Sequence, residues 1–186
     1  MNIAFKYYPA TYIMRSRDPN TLRIIDLWTF RSTKSNKRYI VEVEAFDKGV
    51  FGLKFYWKGV AGSSRRYSFL TYDYEPRTII FSCIQIMMRY FDRDNCASFG
   101  FIAAPDIESR GSYTSDIREN KRFRFYRRLM LSLFGAETFV QVHDINNVIY
   151  FLINKKIWDN GELTLKDLED RINEIYAGEY ALMNPE

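Results

Sequence analysis

A chain of 186 residues falls within the usual span of one domain, about 100–200 residues. Its 47% hydrophobic and 17% aromatic content supplies a core without disulfide or metal staples and excludes a disordered tail, a collagen-like repeat and a stapled mini-protein. A net charge of +4, from 27 basic and 23 acidic residues, is too mild for a tail that coats nucleic acid, so the placement of charge matters more than its sum.

In chain order, Asp18-Pro19-Asn20 is a turn signal, and Leu22 to Phe30 after it fits the helical and the strand period equally poorly. Tyr39 to Phe46 then alternates, with Tyr39, Val41, Val43 and Ala45 on one face. After the Asp47-Lys48-Gly49 turn, Phe51, Leu53, Phe55 and Trp57 share a face between Val50 and Lys58. This pattern predicts a β-hairpin, with a third antiparallel strand expected over Arg66 to Asp73. A helix is expected to begin near Arg77, with Ile79, Ile80, Cys83, Ile84, Met87 and Phe91 on a broad apolar face. Thr78, Ser82, Gln85 and Arg89 form its narrow polar stripe.

Ala97 to Ala104 reads as a buried strand. A polar loop that includes Glu108 to Ser115 leads to a helix over Asp116 to Phe134, ended by Gly135. Strands at Thr138 to His143 and Val148 to Asn154 follow, joined by a turn at Ile145 to Asn147. Thr164 and Asp167 have capping-box spacing ahead of a helix that turns Leu165, Leu168, Ile172 and Ile175 inward, with Gly178 near its end. The expected fold class is α+β, around one mixed, mostly antiparallel sheet with two packed helices and a C-terminal helical appendage. With no repeat and no Pro- or Gly/Ser-rich linker, a single domain over 1–186 is expected, made of an N-terminal segment 1–36, a core 37–154 and a C-terminal helix and tail 155–186.

Cys83 and Cys96 have neither CxxC spacing nor secreted-scaffold density, which points to a reducing compartment. The N-terminal dozen residues lack a basic region followed by an apolar run, and the most apolar stretch, Thr78 to Phe91, is too short and too interrupted to cross a bilayer. The expectation is a cytoplasmic protein with no membrane partner.

From residue 38 to 154, the order strand, helix, strand, helix, strand, strand resembles the acetyl-CoA-binding half of the GNAT N-acetyltransferase superfamily. The matching residues lie in Glu119-Asn120-Lys121-Arg122-Phe123-Arg124-Phe125-Tyr126. Many members of that family carry an Asn opening this helix, a small residue one turn on, and a Tyr whose hydroxyl protonates the leaving thiolate. The resemblance therefore implies Asn120 and Tyr126 as site residues and acetyl-CoA as cofactor. Phe123 is larger than the family's residue, and the Asn–Tyr spacing is one short. The family also cradles the CoA pyrophosphate in a glycine-bearing loop at a helix N-terminus, where free N–H groups and the dipole favour an anion. The matching stretch, Tyr72-Asp73-Tyr74-Glu75-Pro76-Arg77, has no glycine and two acidic residues, which would repel a diphosphate. The chain is also similar to small bacterial and phage-borne families.

The basic residues of the second long helix offer a different chemistry. Lys121, Arg124 and Arg128 project within about 60° of one another at 3.6 residues per turn, with Arg127 adjoining. Arg118 and Arg122 bring the total to six positive charges in eleven residues. Such a cluster either contacts phosphates of a nucleotide or nucleic acid or pairs with the acidic C-terminal helix bearing Asp167, Glu169, Asp170 and Glu174. Tyr126 lies on this helix's apolar side, so it is either a core residue or an acid. His143, the only histidine, has Asp144 beside it but no nucleophile motif, and no His/Cys cluster supplies a metal site. Tyr67, Phe69, Tyr72 and Tyr74 near Arg65, Arg66 and Arg77 either stack bases or divide between core and surface.

Three functions follow as expectations. The first is a non-catalytic GNAT-like protein, needing no cofactor, that binds a partner, phosphate-bearing or otherwise, through Lys121, Arg124, Arg127 and Arg128. The second is a divergent acyltransferase using acyl-CoA. The third is a protein–protein module that inhibits or neutralises its target.

Overall fold

The computed structural model describes residues 5–18, 23–63, 66–67, 73–102, 121–134, 136–144 and 149–176, and the side chains of all of these except 102, 121–123, 144, 149 and 171–176. Its strands are β1 (Thr11–Arg17), β2 (Ile24–Arg31), β3 (Arg38–Ala45), β4 (Val50–Trp57), β5 (Ser98–Ile102), β6 (Phe139–Asp144) and β7 (Ile149–Asn154). They form one sheet in the order β1-β2-β3-β4-β5-β7-β6. Every neighbouring pair is antiparallel except β4 and β5. The helices are α1 (Pro76–Arg93), α2 (Lys121–Phe134), α3 (Lys155–Asp159) and α4 (Leu165–Tyr176), so the fold is α+β.

The hairpin forms in the register that alternation demands: Tyr39, Val41, Val43 and Ala45 face Trp57, Phe55, Leu53 and Phe51. Lys48 and Gly49, at φ 57° and 68°, supply the left-handed residues that reverse the chain. The ambiguous segment is strand β2, paired along its length with β3. Its burial alternates through Asp26, Trp28 and Phe30. The sequence hides that alternation, because an acid occupies one buried position and Ile25 and Leu27 lie on the other face. Residue 36 is therefore no structural boundary, since segment 1–36 contributes two strands to the sheet. The strand expected over Arg66 to Asp73 is not seen among the described residues. Arg66 and Tyr67 lie in a turn, and 68–72 fall outside the described residues. The neighbour of β3 opposite β4 is β2.

Two cores flank the sheet. Residues of α1, together with Tyr126, Leu129 and Met130 of α2, cover the face bearing Trp28, Val41, Leu53 and Phe99. Ile157 of α3, Leu163 of the connection after it and Leu168 of α4 cover the opposite face through Val50, Val142, Phe151 and Ile153. At β5 the second face needs glycine, because a Cβ on Gly100 would stand 2.6 Å from the Phe151 ring.

Helix α1 starts with Pro76 in its first turn, where a missing N–H costs nothing. Ser82, expected on its polar stripe, is fully buried instead. The N-terminal segment crosses there: the Tyr8 N–H donates to Ser82 Oγ at 2.8 Å, and Phe5 stacks on Phe81 at 4.3 Å between centroids. The α4 capping box forms as expected. Thr164 N–H donates to Asp167 Oδ2 at 2.8 Å, and Asp167 N–H donates to Thr164 Oγ1 at 3.3 Å. The expected features at Asp116 to Asn120, Gly135, Ile145 to Asn147, Gly178 and the 108–115 loop lie outside the described residues.

Candidate functional site

The helical period divides α2 cleanly. Tyr126, Leu129 and Met130 are buried against the sheet, while Arg124, Arg127 and Arg128 are exposed. Lys121 lies in the first turn of α2, its side chain outside the described set. Among the described side chains none of these cations pairs with acidic α4, whose Leu168 packs on the other face of the sheet. Asp167 of α4 instead meets Lys48 at 3.2 Å.

Several cations elsewhere are paired with acids. Lys37 meets Asp73 at 2.7 Å, Lys54 meets Glu44 at 2.8 Å, and Arg66 meets Glu42 at 3.6 Å. Arg15 forks onto Asp26, its Nε 2.8 Å from Oδ1 and its Nη2 3.1 Å from Oδ2. No arginine described on α1 or α2 has such a carboxylate partner among the described residues.

Tyr126 stands where β4 and β5 part. Their parallel pairing runs from Val50–Ser98 to Leu53–Phe101. Beyond it Lys54 to Trp57 continue beside β3, while Ile102 pairs with Ile149 of β7. The Tyr126 ring packs between Phe55 of β4, at 6.5 Å, and Phe101 of β5, at 6.4 Å. At 8% exposure it is a core residue that sits at the divergence of the two strands. Asn120 falls outside the described residues.

The acidic residues ahead of α1 do not project as free repulsive charges. Asp73 accepts from Lys37 and, at 3.1 Å, from the Tyr39 hydroxyl. Glu75 is buried at 7% exposure. Its carboxyl accepts from Tyr8 and Ser32, each at 2.5 Å, and from Ser35 at 3.1 Å. Ser32 Oγ in turn accepts from the N–H groups of Lys34 and Ser35. The chain places its own buried acid beside the first turn of α1, and exposed Tyr74 makes the approach at φ 52°. Of the aromatic group noted in the sequence, Tyr67 stacks with Arg66 and donates to Glu42, whereas Phe69 and Tyr72 lie outside the described residues.

Sequence reasoning missed the other end of α1. Asp26, 4% exposed, accepts from Arg15 and from the Tyr90 hydroxyl at 2.8 Å, and Trp28 Nε1 donates to Tyr90 at 3.1 Å. Burial alone would raise the Asp26 pKa, but the hydrogen bonds from Arg15 and Tyr90 outweigh it and hold the carboxyl below its ordinary range. Burial and Asp26 together push Tyr90 up. Outside this network, Arg89 stacks over Trp28 at 5.1 Å and Arg93 over Tyr90 at 5.9 Å. The arginine spacing Arg89-x-x-x-Arg93 was the one signal in the sequence that could have found it.

His143 is half-buried on β6 opposite Tyr150. Among the described residues no group of three His, Cys, Asp or Glu side chains could hold a metal. Both cysteines are free thiols, and burial raises the pKa of Cys83. No helix of the described residues is long and apolar enough to cross a membrane. Compared with known families, curated proteins and solved structures, the chain matches none.

Proposed function

We propose that the protein is a GNAT-like scaffold that works by binding, holding a phosphate-bearing partner on α2 rather than transferring an acyl group. The observation that carries this reading is the state of Arg124, Arg127 and Arg128: all exposed, on a helix whose apolar side is already used in the core, and without a carboxylate partner among the described residues. Guanidinium groups present fixed forks of N–H donors that suit phosphate oxygens. The GNAT likeness draws support from the element order after β3 and from the one parallel pair, β4 and β5, which flanks α1. Exchanging Arg124→Glu with Arg128→Glu should weaken capture of a phosphate-bearing probe at least tenfold while the melting temperature stays within a few degrees. Unchanged affinity for every probe of that class would remove the reading.

A divergent acyltransferase is the second reading, favoured by the position of Tyr126 at the parting of β4 and β5. Against it stands the first turn of α1, which has no glycine loop, begins with proline and lies beside the buried carboxyl of Glu75. Titration with acetyl-CoA separates the two. Heat of binding and a thermal shift at millimolar ligand would favour the enzyme, and silence would favour the scaffold.

A further inference from the structure

Helices α1 and α2 pack on the same face of the sheet, and their sequences carry a large positive surplus. Helix α1 carries Arg77, Arg89 and Arg93 against Asp92, a surplus of two. Helix α2 carries Lys121, Arg122, Arg124, Arg127 and Arg128 with no acid, a surplus of five. Together these seven charges exceed the net +4 of the complete sequence, so the remainder of the molecule is net acidic. Acidic α4 packs on the opposite face.

The α1 arginines are held in a particular way. Arg77 stacks over Phe81 at 5.5 Å, Arg89 over Trp28 at 5.1 Å and Arg93 over Tyr90 at 5.9 Å. Each guanidinium lies within cation–π range of its ring, and none of the three has a carboxylate partner among the described residues. The rings beneath fix each head group, which lowers the ordering cost of binding. Arg77 and Arg93 are about 24 Å apart along the helix at 1.5 Å per residue, so no single phosphate or diphosphate reaches both.

We infer that the α1–α2 face is a binding surface for the backbone of a nucleic-acid duplex, an inference that rests on the proposed phosphate-binding role of α2 and extends it to α1. A duplex is favoured over a single strand because the rings beneath Arg89 and Arg93 are buried, Trp28 at 2% and Tyr90 at 6% exposure, and cannot stack on bases, which leaves Tyr74, just ahead of α1 in the chain, as an exposed ring among the described residues. It is favoured over an anionic bilayer because Leu131 is the only large apolar residue exposed on either helix among the described residues, whereas interfacial helices insert a whole apolar face. The contacts fall on phosphates, so recognition is independent of base sequence.

The test is fluorescence anisotropy with a labelled duplex of about 20 base pairs, long enough to carry phosphates over the ~24 Å between the outer α1 arginines at about 3.4 Å of axis per phosphate on each strand, run over a salt series. Inorganic pyrophosphate and phosphatidylserine vesicles serve as comparison probes. The unaltered chain should bind the duplex with a strong salt dependence. Arg89→Glu with Arg93→Glu, and separately Arg124→Glu with Arg128→Glu, should each weaken binding at least tenfold and flatten the plot of log affinity against log salt by about 2, near 0.9 for each phosphate no longer neutralised. Arg89→Gln with Arg93→Gln should give a smaller loss in the same direction, guarding against a fold defect from the added acids. Loss from the α2 pair but none from either α1 pair would overturn the inference and leave the α2 reading standing. Pyrophosphate binding as tight as the duplex, or binding to vesicles alone, would likewise overturn it. Silence with every phosphate-bearing probe would remove both.

Discussion

The two ends of α1 bury one acidic side chain each, and they do so by different means. At the N-terminal end Glu75 is surrounded by the hydroxyls of Tyr8, Ser32 and Ser35, with no cation paired to it among the described residues. At the C-terminal end Asp26 is held by Arg15 and Tyr90, and two further arginines lie on the aromatic rings outside. Both arrangements follow the helix dipole, which favours negative charge at the start and positive charge at the end. The functional consequence is asymmetric. The end at which a GNAT enzyme of the resembled kind would seat a pyrophosphate is occupied by an internal acid and crossed by the N-terminal segment. The other end carries Arg89 and Arg93, both exposed, over the rings of Trp28 and Tyr90.

The sharpest way to break this comparison is to remove the acid at the closed end. Glu75→Ala removes the acceptor of the Tyr8 and Ser32 hydroxyls, which are 4% and 0% exposed and keep a weak bond to each other, Ser32 Oγ to the Tyr8 hydroxyl at 3.3 Å. Leaving buried donors unsatisfied costs about 1–3 kcal/mol each. A total near 3 kcal/mol is expected, or a melting temperature lowered by about 6–12 °C for a chain of this size. A change below about 1 kcal/mol in chemical denaturation would mean that the hydroxyls find other partners and that the closed end is not built around Glu75.

A smaller loss is expected at the other end. Asp26→Asn weakens the fork to Arg15, but the Arg15 side chain is 61% exposed and water can replace its partner. About 1–2 kcal/mol at neutral pH is expected, within the range for charge-assisted hydrogen bonds. The pH dependence tests the same point. Because the folded-state pKa of Asp26 lies below its ordinary value near 3.8, the unfolded chain binds a proton before the folded one does. Its contribution is therefore present above about pH 4 and disappears as pH falls through the folded value. Asp167 adds a second, surface contribution of the same sign, since hydrogen bonds from the Thr164 side chain and backbone, then Lys48, lower its pKa to about 2. Urea midpoints measured from pH 6 to pH 2 should fall less steeply for Asp26→Asn than for the unaltered chain. Parallel curves would show that Asp26 keeps an ordinary pKa.

The contrast between the two ends also shows what was legible in the sequence. The hairpin, α1, the two closing strands and the Thr164–Asp167 cap could be read because local periodicity and capping chemistry act within a few residues. The basic side of α2 could be read for the same reason. Strand β2 could not, because its buried Asp26 is tolerated only through Arg15 on one neighbour and Tyr90, 64 residues away. Ser82 falls on the unexpected side for an equivalent reason: the segment that covers it is 74 residues distant. Glu75 reads as a repulsive surface charge because its hydroxyl partners come from 40 to 67 residues earlier. Long-range polar pairing leaves no period for a sequence pattern to show.

The smallest expected effect separates a surface kept for binding from one kept for stability. Arg89 and Arg93 touch Trp28 and Tyr90 only through ring faces, and an exposed cation–π contact contributes about 0.5–1 kcal/mol. Arg89→Gln with Arg93→Gln removes both contacts while leaving the Asp26–Tyr90–Trp28 hydrogen bonds beneath them intact. The two contacts together are expected to cost about 1–2 kcal/mol, so the double exchange should lower the melting temperature by about 2–8 °C, a range centred below that for Glu75→Ala. If it instead cost as much as Glu75→Ala, the arginines would be lids over the Trp28 pocket, and the two ends of α1 would both be structural. A small cost leaves a pair of exposed cations beside rings that do not depend on them, outside a hydrogen-bond network that holds without them.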